Sequence, residues 1–342
     1  MNSYENKNLK FDTVKIRTKK EYFKEPIVSF TPNINPNGEC TGMYYNSKKD
    51  KSIPYNLFIG INNNSQSLTL EFSSKVLLDD YPKLITRATL RQCLENINRL
   101  GICTIDVNNI INDCYFDKIH ITRDIDYHLT NDVFTSLNSC VGNYRRYKWE
   151  HYEGEGIRYS KDVKSKECKE TIVIYDKEKE IQSSKNKQFF DLLDNPDAVI
   201  GYFSGKTRFE MELDSPNKIC KFLNIGSTHI NYIFGSDVNP LLVQFNKVFG
   251  KGEIENKYSI TNYEDYSMQA IIEKHNGDLK KIEQEMKDLH VYSSNSRTGL
   301  SKRMKKIRQL HSEMYNKTHG SINILAEIRG KLSSKLPYFT HS

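Results

Sequence analysis

The sequence predicts an α+β protein: a largely antiparallel sheet with packed helices over residues 1–217, then a basic helical domain over 218–342. Three observations predict it. Runs of strict two-residue alternation recur through the first part, as in Phe11-Asp12-Thr13-Val14-Lys15-Ile16 and residues 119–127. Segments 56–61 and 67–72 form a hairpin pattern across an Asn/Ser turn. From about residue 217 the character changes to helical, with apolar residues three and four apart.

Taken in order, a polar start leads into a strand at 11–16. Residues 31–53, rich in Asn, Gly, Pro and Lys, predict loop or irregular edge. After the 56–72 hairpin, Leu90, Leu94 and Ile97 mark a helix over 87–100 that Gly101 stops. Strands follow at 102–107 and 118–127, then a helix over 130–140 opening on a Thr/Asn cap. Further strands are predicted at 144–152, 156–160 and 170–176, a short helix at 188–193, and a helix start at Asn195-Pro196-Asp197. A strand covers 206–213. Beyond it, Met268, Ile271 and Ile272 precede Leu279, Ile282, Met286 and Leu289, with Asn276-Gly277 as a break. The last helix carries Leu300, Met304, Ile307, Leu310 and Met314 on one face.

A chain of 342 residues can bury a substantial core and fits two domains. Hydrophobic residues make up only 37%, yet 11% aromatics and 27% charged residues suit a folded soluble protein. The net charge of +7 suits a polyanionic partner. Seven scattered cysteines without a Cys-x-x-Cys argue against a disulfide framework or a zinc ribbon, and for a reducing compartment. Residues 1–10 lack a signal-like apolar run, and no stretch reaches the roughly 20 apolar residues of a membrane span. The expectation is a cytoplasmic protein with no membrane partner.

Two strands carry the chemistry. Along Lys206-Thr207-Arg208-Phe209-Glu210-Met211-Glu212, Arg208, Glu210 and Glu212 share a face opposite Phe209, Met211 and Leu213. Along Thr171-Ile172-Val173-Ile174-Tyr175-Asp176-Lys177, Tyr175 and Lys177 share a face while Ile172 and Ile174 point into a core. A phenol of pKa about 10 is a poor nucleophile at neutral pH. A cation held by carboxylates can polarise a phosphate, and a lysine can stabilise developing charge. The alternative is one of 21 tyrosines beside ordinary solvated strand charges.

His120, Thr122, Asp124 and Asp126 likewise share a strand face, which suits a hard cation such as Mg²⁺ or is simply the wet side of an antiparallel strand. The last helix can follow phosphates with Lys302, Arg303, Lys305 and Lys306, or be a solvated amphipathic face. From Arg297 onward there are ten Lys/Arg against two Glu. Arg308, His311 and Tyr315 fall within one helix, unlike the distant segments that a tyrosine recombinase site gathers. A Walker A motif, a His-hydrophobic-His pair, a Gly-x-Ser-x-Gly elbow and a His-Glu-x-x-His are all absent from the sequence.

In order along residues 10–215, six segments resemble the replication initiators of filamentous phages, the gene II/X protein family. More distantly they are similar to the trans-acting Rep proteins of rolling-circle plasmids. The segments are Phe11-Asp12-Thr13-Val14-Lys15-Ile16-Arg17; Leu70-Glu71-Phe72-Ser73-Ser74-Lys75-Val76-Leu77; Thr122-Arg123-Asp124-Ile125-Asp126; Thr171 to Lys177; Asn195-Pro196-Asp197; and Ser204-Gly205-x-x-Arg208-Phe209-Glu210. The resemblance implies site-specific nicking and joining of DNA through a 5′-phosphotyrosine, with Tyr175 as nucleophile and Lys177 as supporting cation. It also implies Mg²⁺ or Mn²⁺ held by Glu210 and by Asp124 or Asp126. The family spacing is Arg, a hydrophobe, then Asp; here Asp124 directly follows Arg123, which leaves the ligand open between the two aspartates. The implied partners are an origin, single-stranded at the nick, and a host helicase in a bacterial cytoplasm, with a homodimer allowed. Beyond residue 217 the match fades. The alternative readings are a non-enzymatic, repressor-like DNA-binding protein and a mobilisation relaxase.

Overall fold

A computed structural model describes residues 9–50, 52–139, 141, 147–152, 155–161, 171–249, 262–275, 277–289, 297–318 and 324–333. Among them the strands are β1 (Phe11–Lys19), β2 (Phe23–Pro26), β3 (Thr31–Ile34), β4 (Cys40–Asn46), β5 (Leu57–Asn62), β6 (Ser67–Ser73), β7 (Cys103–Ile105), β8 (Tyr115–Asp126), β9 (Tyr147–Tyr152), β10 (Gly156–Lys161), β11 (Thr171–Asp176) and β12 (Lys206–Leu213). The chain is mixed α+β and divides into two compact units, residues 1–127 with 163–241, and residues 128–162 with 242–334.

In the first unit the sheet runs β3-β4-β5-β6-β1-β8-β12-β11, each neighbouring pair antiparallel. Alternation does the sorting. Val14, Ile16, Leu70, Phe72, Ile119, Ile121, Ile172, Ile174, Phe209 and Met211 are all fully buried on one face. Phe234 closes that core, its ring 5.7 Å from Phe11 and 6.0 Å from Phe116. The other face carries the polar residues of β8, β11 and β12. Over it lie the irregular 3-10 segment Ser74–Lys83 and the helix Pro196–Phe203. Asn195 caps that helix by accepting from Ala198 N at 3.1 Å, as the Asn-Pro-Asp signal predicts.

The second unit contains the β9–β10 hairpin and the helices Asn131–Ser139, Tyr263–Lys274, Leu279–Asp288, Arg297–Thr318 and Ile324–Ser333. Tyr159 of β10 donates to Asn138 at 2.8 Å, and its ring meets Phe249 at 5.1 Å. Arg308 donates to the Val141 carbonyl at 2.7 Å.

The division does not fall at residue 217. Residues 218–241 stay with the sheet because Phe116 N and Ile230 N bond the carbonyls of Thr228 and Cys114 at 2.9 Å. Segment 128–162 joins the helices through the contacts just given. Residues 31–53, expected as loop or irregular edge, hold β3 and β4 at the edge of the sheet, with a register shift between Asn33 and Ile34. Pairing onto the neighbouring β5 supplies the order that their polar sequence does not advertise. The strand expected at 102–107 ends at Ile105, because Asp106 caps the helix Val107–Ile110. Residues 144–146, 170 and Asn276, which the sequence reading includes in strand ends and a helix break, lie outside the described residues.

Candidate active site

The register of three strands builds the site. Tyr175 of β11 stands opposite Arg208 of β12, and Arg208 stands opposite Asp124 of β8, so the three form one row across the sheet. Glu210, two residues along β12, projects on the same face. Asp12 joins them because the β1–β8 pairing shifts register between Phe11 and Thr13. The turn into β12 needs Gly205, whose φ of +65° favours a residue without Cβ. Its N–H donates to Glu178 at 2.8 Å.

Arg208 is the hub and is wholly buried. Its Nε and Nη2 donate to the two oxygens of Asp124 at 2.6 and 2.9 Å, a bidentate clamp. Nη1 donates to Asp12 at 2.9 Å and to Tyr81 Oη at 3.1 Å, and lies 3.9 Å from Glu210 Oε1. Ser74 supplies a second donor to Asp12 at 2.9 Å. The Tyr81 and Phe203 rings cover the guanidinium at 5.5 and 5.3 Å. Tyr175 Oη donates to Glu210 Oε1 at 2.8 Å.

Three carboxylates thus compete for one guanidinium, and distance decides the outcome. At an effective dielectric of about 20, the 2.9 Å contact to Asp12 outweighs the 3.9 Å contact to Glu210 by roughly 1.5 kcal/mol. Burial alone would raise Asp12, but Arg208, then Lys177, the Ser74 hydrogen bond and Lys75 hold it below the ordinary aspartate value. Glu210 goes the other way. Burial and the nearby Asp12 charge push it up to about 7, against the pull of Arg208, Lys177 and Tyr175. Burial, and then the Glu210 charge, raise the Tyr175 phenol well above its ordinary value. Burial lowers the Lys75 ammonium, which donates to Asn186 at 2.6 Å.

Tyr175 and Glu210 meet directly, on adjacent strands. Lys177 arrives differently from expectation: β11 ends at Asp176, which caps a short helix, Lys177–Ile181. Its ammonium is nevertheless buried 5.7 Å from the Tyr175 ring centroid. It donates to Tyr81 Oη at 2.7 Å and pairs with Glu180.

Of the expected metal ligands, Asp124 and Glu210 share a face on adjacent strands and both lie against Arg208. Both Asp124 oxygens are taken by Arg208. Asp126 sits at the end of β8 with its side chain 82% exposed, paired with Lys206. His120 lies further along β8 opposite Glu212, and burial lowers its pKa. Among the described residues no three His, Cys, Asp or Glu side chains group to hold a metal ion. As arranged, the charge that Asp124, Asp12 and Glu210 face is the resident Arg208 guanidinium.

Asp12, Ser74, Lys75 and Tyr81 were not singled out from sequence. The first three lie inside the Phe11 to Arg17 and Leu70 to Leu77 segments, but only the bulge and the turn after β6 bring Asp12 to Arg208, Ser74 to Asp12 and Lys75 to Asn186. In the second unit, Met304, Ile307 and Leu310 of the helix Arg297–Thr318 are buried as the apolar stripe requires. Lys302, Lys305 and Lys306 are exposed; Arg303 is half-buried and paired with Glu264, which also lies 3.6 Å from Lys306. Comparison with protein-family models, with curated proteins and with solved structures finds no match for this chain.

Proposed function

We propose that this protein nicks and rejoins DNA at a specific site through Tyr175, and that it initiates rolling-circle replication of a phage or plasmid. One observation carries the reading: the Tyr175 phenol is in hydrogen-bond contact with Glu210 inside a cluster of buried cations, Arg208 and Lys177. Attack by that phenol on a phosphodiester conserves the bond energy in a 5′-phosphotyrosine, so joining needs no ATP, in keeping with the missing Walker motif. Arg208 and Lys177 supply fixed positive charge near the reacting oxygen. The helix Arg297–Thr318 contributes phosphate contacts through Lys302, Lys305 and Lys306, with Arg303 partly engaged by Glu264. Origin recognition and recruitment of a host helicase belong to the same proposal.

The competing reading is a DNA-binding protein without catalysis. It is favoured by the completeness of the ion pairs around Arg208, which a purely structural network would also display. Nicking separates the two. On a supercoiled circle carrying this gene and its flanking DNA, the wild type is expected to relax the circle and to carry DNA on the 171–177 peptide. Tyr175→Phe is expected to bind without nicking. An adduct on another tyrosine, or undiminished nicking by the variant, overturns the proposal.

A further inference from the structure

We propose that Glu210 is a catalytic base, taking the proton from Tyr175 as the phenol attacks and returning it when the strand is rejoined. The inference rests on Tyr175 being the nucleophile. The geometry singles Glu210 out among its neighbours. Asp124 is closed on both oxygens by Arg208, Asp12 is held by Arg208 and Ser74, and Glu180 is held by Lys177 and Asn186. Glu210 Oε1 receives the phenol proton at 2.8 Å, within reach for direct transfer.

The need for a base is created by the same pocket. Burial and the Glu210 charge make the free phenolate costly, so a pre-ionised tyrosine is not what this site stores. Proton loss concerted with attack avoids that species. The groups that face Glu210 set its basicity: Asp12 from the start of β1 raises it, while Arg208 on its own strand, Lys177 on the helix after β11 and the Tyr175 hydrogen bond restrain it.

The step balances without a redox partner. The Tyr175 O–H bond breaks and its proton passes to Glu210 Oε1. The phenol oxygen forms a bond to phosphorus, and the 3′ oxygen departs with the electron pair of the broken P–O bond, acquiring a proton from solvent. In joining, a 3′ hydroxyl attacks phosphorus, its proton passes to solvent, and the departing phenol oxygen recovers the proton from Glu210.

Chemical rescue tests this. Glu210→Ala removes the carboxylate and leaves room for a small one; Glu210→Gln keeps the shape and serves as a folding control by circular dichroism. Both variants are expected to form the Tyr175–DNA adduct roughly 10²–10⁴-fold more slowly. Added formate is expected to restore the Ala variant and not the Gln variant. Rescue of either variant by raising Mg²⁺ or Mn²⁺, with no response to formate, would make Glu210 a metal ligand and overturn the proposal. So would full activity of Glu210→Gln. A second readout requires no DNA: acetylation of Tyr175 by N-acetylimidazole, mapped on the 171–177 peptide. It is expected to fall in both variants and to recover with formate in the Ala variant; no change in either overturns the base role. A wild type that shows this Glu210-dependent acetylation but never nicks leaves the base intact and removes the proposed function. Adduct formation lost in Tyr175→Phe but unaffected by Glu210 substitution does the reverse.

Discussion

Two basic regions of this chain handle charge in opposite ways. Around Arg208 the cations are buried and each is bonded to named partners, with strand register setting Tyr175, Arg208, Asp124 and Glu210. On the helix Arg297–Thr318 the cations Lys302, Lys305 and Lys306 are exposed, above a buried stripe of Met304, Ile307 and Leu310. A buried charge depends on one or two partners at low dielectric, so single substitutions there act strongly and cooperatively. A solvated charge interacts weakly with each neighbour and acts by number, so its effects are small, additive and screened by salt. The first arrangement can tune one phenol; the second can hold a polyanion.

The largest effect should come from removing the hub. Arg208→Met leaves the buried Asp124 carboxylate and the half-buried Asp12 carboxylate without their principal partner, and is expected to cost about 3–5 kcal/mol of stability in urea unfolding. Lys302→Met, on the exposed helix, is expected to stay within about 0.5 kcal/mol. Equal costs at the two positions would break the contrast between the regions.

Acid–base behaviour sharpens it. Glu210 must be ionised to accept a proton, so nicking is expected to rise with pH through about 7. The stability sign is opposite. A carboxyl whose folded-state pKa lies above its unfolded value contributes stability that is fully present below the unfolded pKa and is lost as pH rises through about 7. Glu210→Gln is therefore expected to melt higher than the wild type at pH 8 and to converge with it near pH 4. Asp12, held below its ordinary value, contributes stability above the unfolded aspartate pKa that is lost in acid. A pH-independent difference between wild type and Glu210→Gln would show that Glu210 titrates normally.

How much of this was legible in the sequence depends on which physical signal carried each residue. Tyr175, Arg208 and Glu210 could be placed on working faces because a period of two is visible without a structure, and β12 matches its expected span of 206–213. The row that joins Tyr175 to Arg208 to Asp124 was not legible, because register between strands far apart in sequence leaves no local trace. Asp12 was hidden for a sharper reason: a bulge breaks the alternation that would otherwise assign its face. Asp124 and Asp126 look equivalent in sequence, yet one is clamped by Arg208 and the other stands at the strand's exposed end. Lys177 sat one residue past the strand, and the Asp176 cap was the missed cue.

A smaller effect tests the cover over the site. Asn195 caps the helix Pro196–Phe203, and Phe203 lies 5.3 Å from both the Arg208 guanidinium and the Lys177 ammonium. Asn195→Ala is expected to cost about 1 kcal/mol of stability. Because the fraying starts at the end of the helix opposite Phe203, the Tyr175–Glu210 contact should survive and nicking should fall by less than about threefold. A loss as large as that of Glu210→Gln would mean that the helix, and not only the strands, holds the catalytic geometry.

The smallest effects belong to the solvated helix, and they are expected to be graded by pairing. Each phosphate contact removed flattens the dependence of log K on log salt by about 0.9. Lys302→Gln and Lys305→Gln should each approach that change on a duplex of arbitrary sequence. Arg303→Gln should change the slope less, because Glu264 already holds its guanidinium. Lys306 should fall between, being exposed yet 3.6 Å from the same carboxylate. Glu264→Gln then provides the discriminating measurement. It frees both cations, so affinity and slope should increase together while stability stays within about 0.5 kcal/mol. A slope indifferent to all five substitutions would mean that this helix presents a solvated face, and that phosphate contacts must be sought elsewhere on the protein.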